Sequence, residues 1–162
     1  KSFTLRTSPS TFEAAFFLKK VGANTVNVKM LFKTDMGIHS EKIKFMSFAY
    51  LYRDMVSIAV WPETVENVST MKLISSQVAD DMLNVNNVHA SFTIFQDNIG
   101  TVYISARSLG VINVQLIMEE LNGGGHQTMA AAQMTTTMEE AAIMLKHSID
   151  NYLNAINVKK TF

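Results

Sequence analysis

The sequence predicts an α/β domain, a mixed β-sheet covered by helices, preceded by a helical connector. Hydrophobic residues alternate with small or polar ones around 56–60, 88–94 and 102–106, which is the period of a β-strand. Between and after these segments they recur every three or four positions, the period of a helix face. The turn residues from Asp97 to Gly100 join the second and third strands, which predicts a hairpin. Strands and helices mixed in this order favour a sheet packed under helices.

Composition limits what the chain can be. Its 162 residues suit one compact domain, or one domain with a piece of its neighbour, because domains run at about 100–200 residues. Lysine plus arginine and aspartate plus glutamate both total 14. This balance argues against a whole-surface electrostatic grip on nucleic acid or acidic lipid, but a local basic patch stays open. The absence of cysteine excludes disulfides, thiolate zinc sites and cysteine nucleophiles.

The first 54 residues are predicted to be mainly helical, after a short strand that ends over Phe3–Arg6. Ser10 and Glu13 have capping-box spacing, so a first helix should begin there and stop at Gly22. Its inward face is predicted to hold Phe12, Ala15 and Phe16.

Two further helices are predicted in this region. Asn24 should cap a helix that runs through Lys33, and another should extend from Met36 to Tyr52. The inward residues of the latter are predicted to be Ile43, Met46 and Tyr50.

Beyond residue 55 the predicted order is strand, helix, hairpin, helix, strand, helix. Asn113 should cap the short middle helix, and a strand should cover Met129–Met134. Thr137 and Glu140 should open the last helix as a capping box. The helix before the hairpin has a hydrophobic stripe of Val65, Val68, Met71, Ile74, Val78 and Met82. The last helix has one of Ala141, Leu145, Ile149, Tyr152 and Ile156.

Three of the seven glycines are consecutive, Gly123-Gly124-Gly125, and His126 follows them. A helix often ends at a left-handed glycine, which explains Gly123 alone. Each further glycine costs about 0.5–1 kcal/mol relative to alanine in ordered backbone, so the run needs a reason. One reason is close approach of backbone amides to an anion, with His126 donating to a phosphate oxygen. The alternative is a flexible loop whose histidine caps a strand.

Arg107 and Ser108 end the third predicted strand, with Arg107 on the face opposite Val102 and Ile104. A guanidinium can direct two donors onto a phosphate, and the serine hydroxyl adds a third. The alternative is a solvated arginine at a strand end. Arg107 and His126 flank one short helix, so the fold can bring them together.

The remaining polar residues give weaker signals. His39, His89 and His147 lack metal-binding spacing, so we interpret them as structural or solvated. The Asp80-Asp81 pair could bind a metal but more simply ends a helix with solvent-facing charge. Trp61 is expected to pack in the core.

The chain resembles the DHHA1 domain of the DHH phosphodiesterase superfamily in four motifs: Ser105-Ala106-Arg107-Ser108, Asn113-Val114, Gly123-Gly124-Gly125-His126 and Ala130-Ala131. The string ISARSLGVINVQLIMEELNGGGH resembles most closely the GdpP-type cyclic-di-AMP phosphodiesterases of Gram-positive bacteria. Upstream, FTLRT and TFEAAFFLKKVGA resemble the tail of the preceding DHH domain. The resemblance divides the chain into a DHH tail (1–34), a helical connector (35–54) and a DHHA1 substrate-binding domain (55–162).

The resemblance implies a hydrolase whose DHH domain holds two divalent metals, typically manganese, while DHHA1 binds the nucleotide. The implied substrate-binding residues are Arg107, Ser108, Asn113, Gly123, Gly124, Gly125 and His126. The chain contains no Asp-His-His motif, so we expect it to have no catalytic or metal-binding residue and to be inactive alone. Mn²⁺ is expected upstream in the parent enzyme. Met129 departs from the family pattern, in which a small or polar residue follows the loop.

The function implied by the resemblance is hydrolysis of cyclic-di-AMP to linear pApA. The alternatives are a nanoRNase or RecJ-like exonuclease of the same superfamily, and a non-catalytic nucleic-acid-binding module. The implied partners are a cyclic dinucleotide or short oligonucleotide, the parent's own DHH domain and, as a further option, a second copy. The chain is expected to be a soluble cytoplasmic portion of a membrane-anchored bacterial protein.

Overall fold

The computed structural model describes residues 7–160, so the strand predicted over Phe3–Arg6 lies outside the described residues. The elements follow one another in this order: α1 Pro9–Lys20, α2 Thr25–Met30, α3 Met36–Ser47, β1 Ala49–Tyr52, β2 Val56–Val65, α4 Val68–Met82, β3 Ala90–Asp97, β4 Thr101–Ser108, α5 Val114–Glu119, β5 Gly124–His126, β6 Met129–Thr135 and α6 Met138–Lys160.

The chain divides into two compact units, residues 1–37 and 38–162. The first unit contains α1 and α2, and neither helix has a buried residue. Phe12 and Phe16, which were predicted to face inward, are 50% and 70% exposed, and Ala15 is half-buried. The predicted inward face of α1 is therefore largely exposed.

The start of α1 differs from the prediction, and its end agrees with it. Ser8 is the N-cap and Pro9 the first helical residue, so the capping box predicted for Ser10 and Glu13 is wrong. Proline suits this first position because its φ is already helical and its missing amide hydrogen has no partner there. The helix stops before Gly22, whose φ is +99°, as a left-handed C-terminal glycine does.

The second helix has its predicted cap but is shorter than predicted. The Asn24 side chain accepts a hydrogen bond from the amide of Val26 at 2.9 Å. The helix ends at Met30 and not at Lys33.

The second unit contains a six-stranded sheet in the order β1-β2-β3-β4-β6-β5. β2 and β3 are parallel, with α4 as their crossover, and the other pairs are antiparallel. The predicted mixed sheet is confirmed, including the β3–β4 hairpin. Val65 was assigned to the helical stripe but ends β2, and α4 begins after its N-cap Asn67.

The helix predicted to run to Tyr52 ends at Ser47, and Ala49–Tyr52 forms β1. Arg53 and Asp54, with φ of +52° and +57°, lie in the three-residue turn that joins β1 to β2, in which Tyr52 pairs with Val56. Of the predicted inward residues, Ile43 and Tyr50 are exposed, Met46 is half-buried, and Phe45 is the buried residue of α3. Strand pairing here overrides a helical pattern.

Two hydrophobic cores cover the two faces of the sheet. The first core lies under α5 and α6 and includes Phe92, Ile104, Ile117, Leu145 and Ile149. The second lies under α3 and α4 and includes Phe45, Trp61, Ile74, Val78 and Phe95. Because β3 is central, its alternate residues are buried in different cores. The predicted packing role of Trp61 is confirmed by its burial and its edge contact with Phe45.

The predicted caps in the second half of the domain are confirmed. Asn113 accepts a hydrogen bond from the amide of Gln115 at 3.1 Å, which starts α5. Thr137 and Glu140 form the predicted capping box of α6: the Glu140 amide donates to Thr137 Oγ1 at 3.2 Å, and the Thr137 amide donates to Glu140 Oε2 at 3.4 Å. Bonds to Thr136 and Thr137 hold the pKa of the Glu140 carboxyl below its ordinary value.

Candidate functional site

The strand register brings Arg107 and His126 into one row of the sheet. Arg107 of β4 is opposite Met129 of β6, and His126 of β5 is opposite the same Met129 from the other side. Directly opposed residues on antiparallel strands project from the same face. Since neighbouring strands lie about 4.8 Å apart, the backbones of Arg107 and His126 are about 10 Å apart with Met129 between them.

This row reaches a part of the sheet that is not covered by any described helix of the second unit. We call it the open face, defined by Gly124, His126, Met129, Ala131 and Gln133. Over the neighbouring strands the same face is covered by α4, which packs against β2, β3 and β4. The outward residues of β6 are exposed, whereas the alternate residues Ala130 and Ala132 are buried in the first core.

Arg107 lies at the border between the covered and the open parts of this face. Its side chain is only 15% exposed, so it is not the solvated arginine of the alternative interpretation. Nη1 donates to the carbonyl of Ala106 at 2.9 Å, and Nε lies 3.2 Å from Oδ1 of Asp80. The Nε hydrogen is buried and not aligned on that oxygen as a hydrogen bond, so the Asp80 contact is an ion pair.

Asp80 is the residue of this site that sequence reasoning missed. The pair was predicted to end a helix with solvent-facing charge, and this is confirmed, because both residues lie in the last turn of α4 and the Asp80 side chain is 62% exposed. The sequence did not predict that Asp80 contacts Arg107 and that Asp81 contacts Lys42 at 2.6 Å. A signal was present in the sequence. Both carboxylates fall in the last turn of α4, where the helix dipole disfavours anions, so cationic partners from other elements were to be expected.

His126 is the exposed end of the row. Its imidazole makes no hydrogen bond and no ion pair with residues 7–160, and His126 is an exposed residue of β5. The ring nitrogens are therefore available to an external acceptor. The flexible loop of the alternative interpretation is wrong, because Gly124–His126 is a short strand paired with β6.

The three glycines have different reasons to be glycine. A Cβ on Gly123 would lie 2.3 Å from the carbonyl oxygen of Ala131, and one on Gly125 would lie 2.4 Å from that of Met129. Both are required by close packing against β6. Gly123 is not the left-handed helix end that was predicted, because that conformation belongs to Asn122, with φ of +56°.

Gly124 is the exception in the run. A Cβ there would meet nothing within 4 Å, and its opposite residue is Ala131 of the open face. No packing contact requires a glycine at this position. Close approach of a ligand to the backbone at Gly124 stays a prediction.

Ser108 contacts the β5–β6 turn, and Asn113 contacts α5 and α6. Ser108 is buried, its hydroxyl lies 3.3 Å from the carbonyl of Gln127, and it accepts from the amide of Gly110 at 3.2 Å. Ser108 is next to Arg107 in the strand, so its side chain projects from the opposite face. Asn113 caps α5, and its amide donates to the Tyr152 hydroxyl at 2.7 Å. Their direct contact with substrate stays a prediction, since both side chains are engaged within the fold.

The other ionisable groups lie elsewhere in the fold. Asp97 is buried at the β3–β4 turn. Burial alone would raise the pKa of its carboxyl, but hydrogen bonds from Thr101, Tyr103 and Ile99 together lower it. These bonds explain Asp97 structurally.

The residues that the structure describes do not fit a metal centre, because no three histidine or acidic side chains lie close enough to share an ion. Within the same residues, no helix is both long and apolar enough to cross a bilayer.

Residues 62–155 match the DHHA1 domain family. The matched residues contain β3 to β6 and the Arg107–His126 row, and the chain belongs to this family. The predicted resemblance is confirmed.

Among curated proteins, the chain is 44% identical over 153 residues to "Cyclic-di-AMP phosphodiesterase GdpP" of Bacillus subtilis (strain 168). It is 42% identical over 153 residues to "Cyclic-di-AMP phosphodiesterase PdeA" of Listeria monocytogenes. Each match covers 94% of this chain and 23% of the relative. The chain therefore spans about a quarter of the length of these relatives.

Among solved structures, the fold is similar to that of an exopolyphosphatase-related protein from Bacteroides fragilis. The TM-score is 0.75 at 19% identity, and the match covers 93% of this chain and 46% of that one. This likeness supports the α/β fold.

Proposed function

We propose that this chain is the substrate-binding part of a metal-dependent phosphodiesterase that hydrolyses cyclic-di-AMP to linear pApA. The names of two relatives, at 44% and 42% identity, support this substrate. The structural observation that carries the proposal is the row in which Arg107 and His126 flank Met129 at the open face.

The chemistry of the row suits a phosphodiester. Arg107 supplies charge-assisted donors, which bind phosphate oxygens more strongly than neutral donors do. His126 supplies a second donor about 10 Å away across two strand spacings. Gly124 lets a ligand approach the backbone, and the exposed Met129 offers an apolar surface between the two donors. A dinucleotide has phosphate groups that the two donors can bind and apolar base faces that Met129 can contact.

The alternative of a single-strand nuclease has less support. Such proteins bind a long strand in a basic groove lined with aromatic side chains on which bases stack. The open face has no aromatic residue apart from the imidazole of His126, and the chain has zero net charge. Recognition of phosphate here is local, which favours a small ligand.

We propose that the metal is held by a DHH domain upstream in the parent protein, and that residues 1–34 are the tail of that domain. The support for this division is the first unit. Its helices bury no residue. The large apolar residues that this unit exposes include Phe12, Phe16, Phe17, Leu18, Val21, Val26, Met30, Leu31 and Phe32. Large apolar surface of this kind is typical of an interface, here with the rest of a DHH domain.

The test is the Arg107→Ala variant of the full-length parent, assayed for hydrolysis of cyclic-di-AMP with Mn²⁺. Loss of a hydrogen bond to a charged group costs about 1.5–3 kcal/mol, so KM should rise about 10- to 150-fold. Arg53→Ala is the matched control, because it removes the same charge from the β1–β2 turn. Linear pApA, cyclic-di-GMP and a short RNA serve as competitors. An unchanged kcat/KM in Arg107→Ala refutes the assigned site, and stronger competition by RNA favours the nuclease.

The 162-residue chain provides a second test. With Mn²⁺ added it should not hydrolyse cyclic-di-AMP, because its described residues contain no metal-binding group of three. Turnover by the purified chain, abolished by a chelator, would show that the proposed division of labour is wrong.

A further inference from the structure

The end of α4 places two carboxylates where a helix disfavours them. Asp80 and Asp81 lie in its last turn, which contains no basic residue, and the partial negative charge at a helix C-terminus repels anions. Each carboxylate has a cation from another element: Lys42 of α3 for Asp81, and Arg107 of β4 for Asp80. The ion pairs with α3 and β4, and not α4 itself, stabilise these two carboxylates.

The sheet fixes the end of α4 next to Arg107. Ser91 of β3 is the direct neighbour of Arg107 in the row, and its buried hydroxyl donates to the carbonyl of Ala79 at 2.6 Å. Ala79 immediately precedes Asp80. One turn of helix is thus tied to the same row of the sheet that contains Arg107, and the carboxylate of Asp80 is brought to the edge of the guanidinium.

The three nitrogens of Arg107 are then in different situations. Nε is buried and faces Asp80, and Nη1 donates to Ala106 of its own strand. Nη2 makes no hydrogen bond with the residues that the structure describes. A guanidinium fixed along one edge keeps its remaining donors in one direction, which lowers the entropy lost when a ligand binds.

We infer that Asp80 is a positioning residue: its ion pair holds the Nε edge of Arg107 and thereby presents Nη2 to a phosphodiester on the open face. This inference rests on the proposed function for its ligand. The holding of Arg107 itself does not depend on any ligand, so the two can fail separately.

The test compares Asp80→Asn, Asp80→Glu and Asp81→Asn in the 162-residue chain. Asp81→Asn is the matched control, because it removes the same charge at the neighbouring position. The carboxylate lost in this variant pairs with Lys42 and not with Arg107. The first readout is the ¹⁵Nε heteronuclear NOE of Arg107, assigned with Arg107→Ala among only three arginines. Asp80→Asn should lower this NOE to the level of a mobile side chain. Asp80→Glu should restore it in part, and Asp81→Asn should leave it unchanged.

The second readout is the Kd of cyclic-di-AMP, measured by calorimetry at fixed salt. Asp80→Asn should raise Kd about tenfold, as the loss of a residue that orients a ligand-binding side chain does. Asp81→Asn should leave Kd within about twofold, because the Asp81 carboxylate pairs with Lys42 and its removal leaves the Asp80–Arg107 ion pair in place. Melting temperatures of all variants show whether any change in Kd comes from unfolding.

The outcomes separate the two ideas. An Arg107 NOE that is unchanged in Asp80→Asn overturns the positioning role. Tighter binding by Asp80→Asn overturns it too, because Asp80 would then compete with the ligand for Arg107. If the NOE falls while wild type and Arg107→Ala bind cyclic-di-AMP equally or not at all, Asp80 holds Arg107 but the proposed function is wrong.

Discussion

Alanine substitutions in the glycine run should separate packing from ligand approach. Gly125 has a φ of +149°, and a Cβ there would lie 2.4 Å from the Met129 carbonyl oxygen and 2.6 Å from Ala130 Cα. Backbone strain of this kind costs about 1–3 kcal/mol, and overpacking costs about 1–3 kcal/mol more. Because β5 is a three-residue edge strand that can move away from β6, we expect Gly125→Ala to destabilise the chain by about 3 kcal/mol.

Gly124→Ala is the control for this substitution. It adds the same methyl group one residue away, where nothing lies within 4 Å and the φ is not left-handed. A glycine replaced by alanine in a compatible conformation gains about 0.4–1 kcal/mol, since the unfolded chain has fewer states. Gly124→Ala should therefore be as stable as wild type or slightly more stable. Its Cβ projects onto the open face, so it should nevertheless weaken binding of cyclic-di-AMP.

Urea denaturation of the 162-residue chain measures the free energies of unfolding, and calorimetry measures the Kd of cyclic-di-AMP for the variants that fold. If Gly125→Ala is as stable as wild type, the close packing of β5 on β6 is not as described. If Gly124→Ala lowers the free energy of unfolding by more than about 1 kcal/mol, a Cβ at position 124 does not lie in open space. Wild-type affinity in Gly124→Ala would remove the argument that this glycine serves ligand approach.

Three further predictions concern stability, each measured by denaturation of the same chain. Thr137→Ala should destabilise it by about 1 kcal/mol, because it removes the N-cap hydroxyl of α6, and a loss below a few tenths of that would contradict the capping role. Asp54→Gly should stabilise it by about 0.5 kcal/mol, because glycine adopts the left-handed conformation of residue 54 without the steric cost of a Cβ; a loss of stability would show that the Asp54 side chain has another role. The bonds from Arg53 lower the pKa of the Asp150 carboxyl below its ordinary 3.8, so its contribution is present above pH 3.8 and is lost as the pH falls further. Asp150→Asn should flatten that acid-side loss, and an unchanged pH profile would rule the contribution out.

The features that sequence predicted correctly depend on local signals. Asn113 caps α5 and Thr137 with Glu140 opens α6, because a cap involves residues two or three apart. The β3–β4 hairpin follows from a turn between two alternating segments. In each case the residues that decide the structure are neighbours in the chain, so their pattern can be read without a partner.

The missed features depend on distant partners. β1 and β5 are strands of four and three residues, too short to show a period, and they exist because β2 and β6 pair with them. The capping box at Ser10 failed because Pro9 is the better first helical residue and moves the cap to Ser8. The ion pair of Asp80 with Arg107 was not predicted, because its two residues are 27 positions apart and lie on different elements.

By itself, the sequence determined the chemistry available to this protein: Arg107 and His126 as hydrogen-bond donors, a glycine run beside His126, and no thiol. Only the tertiary structure decided how these groups are arranged. Pairing of β4 and β5 on either side of β6 puts Arg107 and His126 in one row with Met129. Close packing against β6 requires glycine at Gly123 and Gly125, whereas the space around Gly124 is open. The reason is physical: residue type sets what a group can donate, whereas strand register sets which groups share a face.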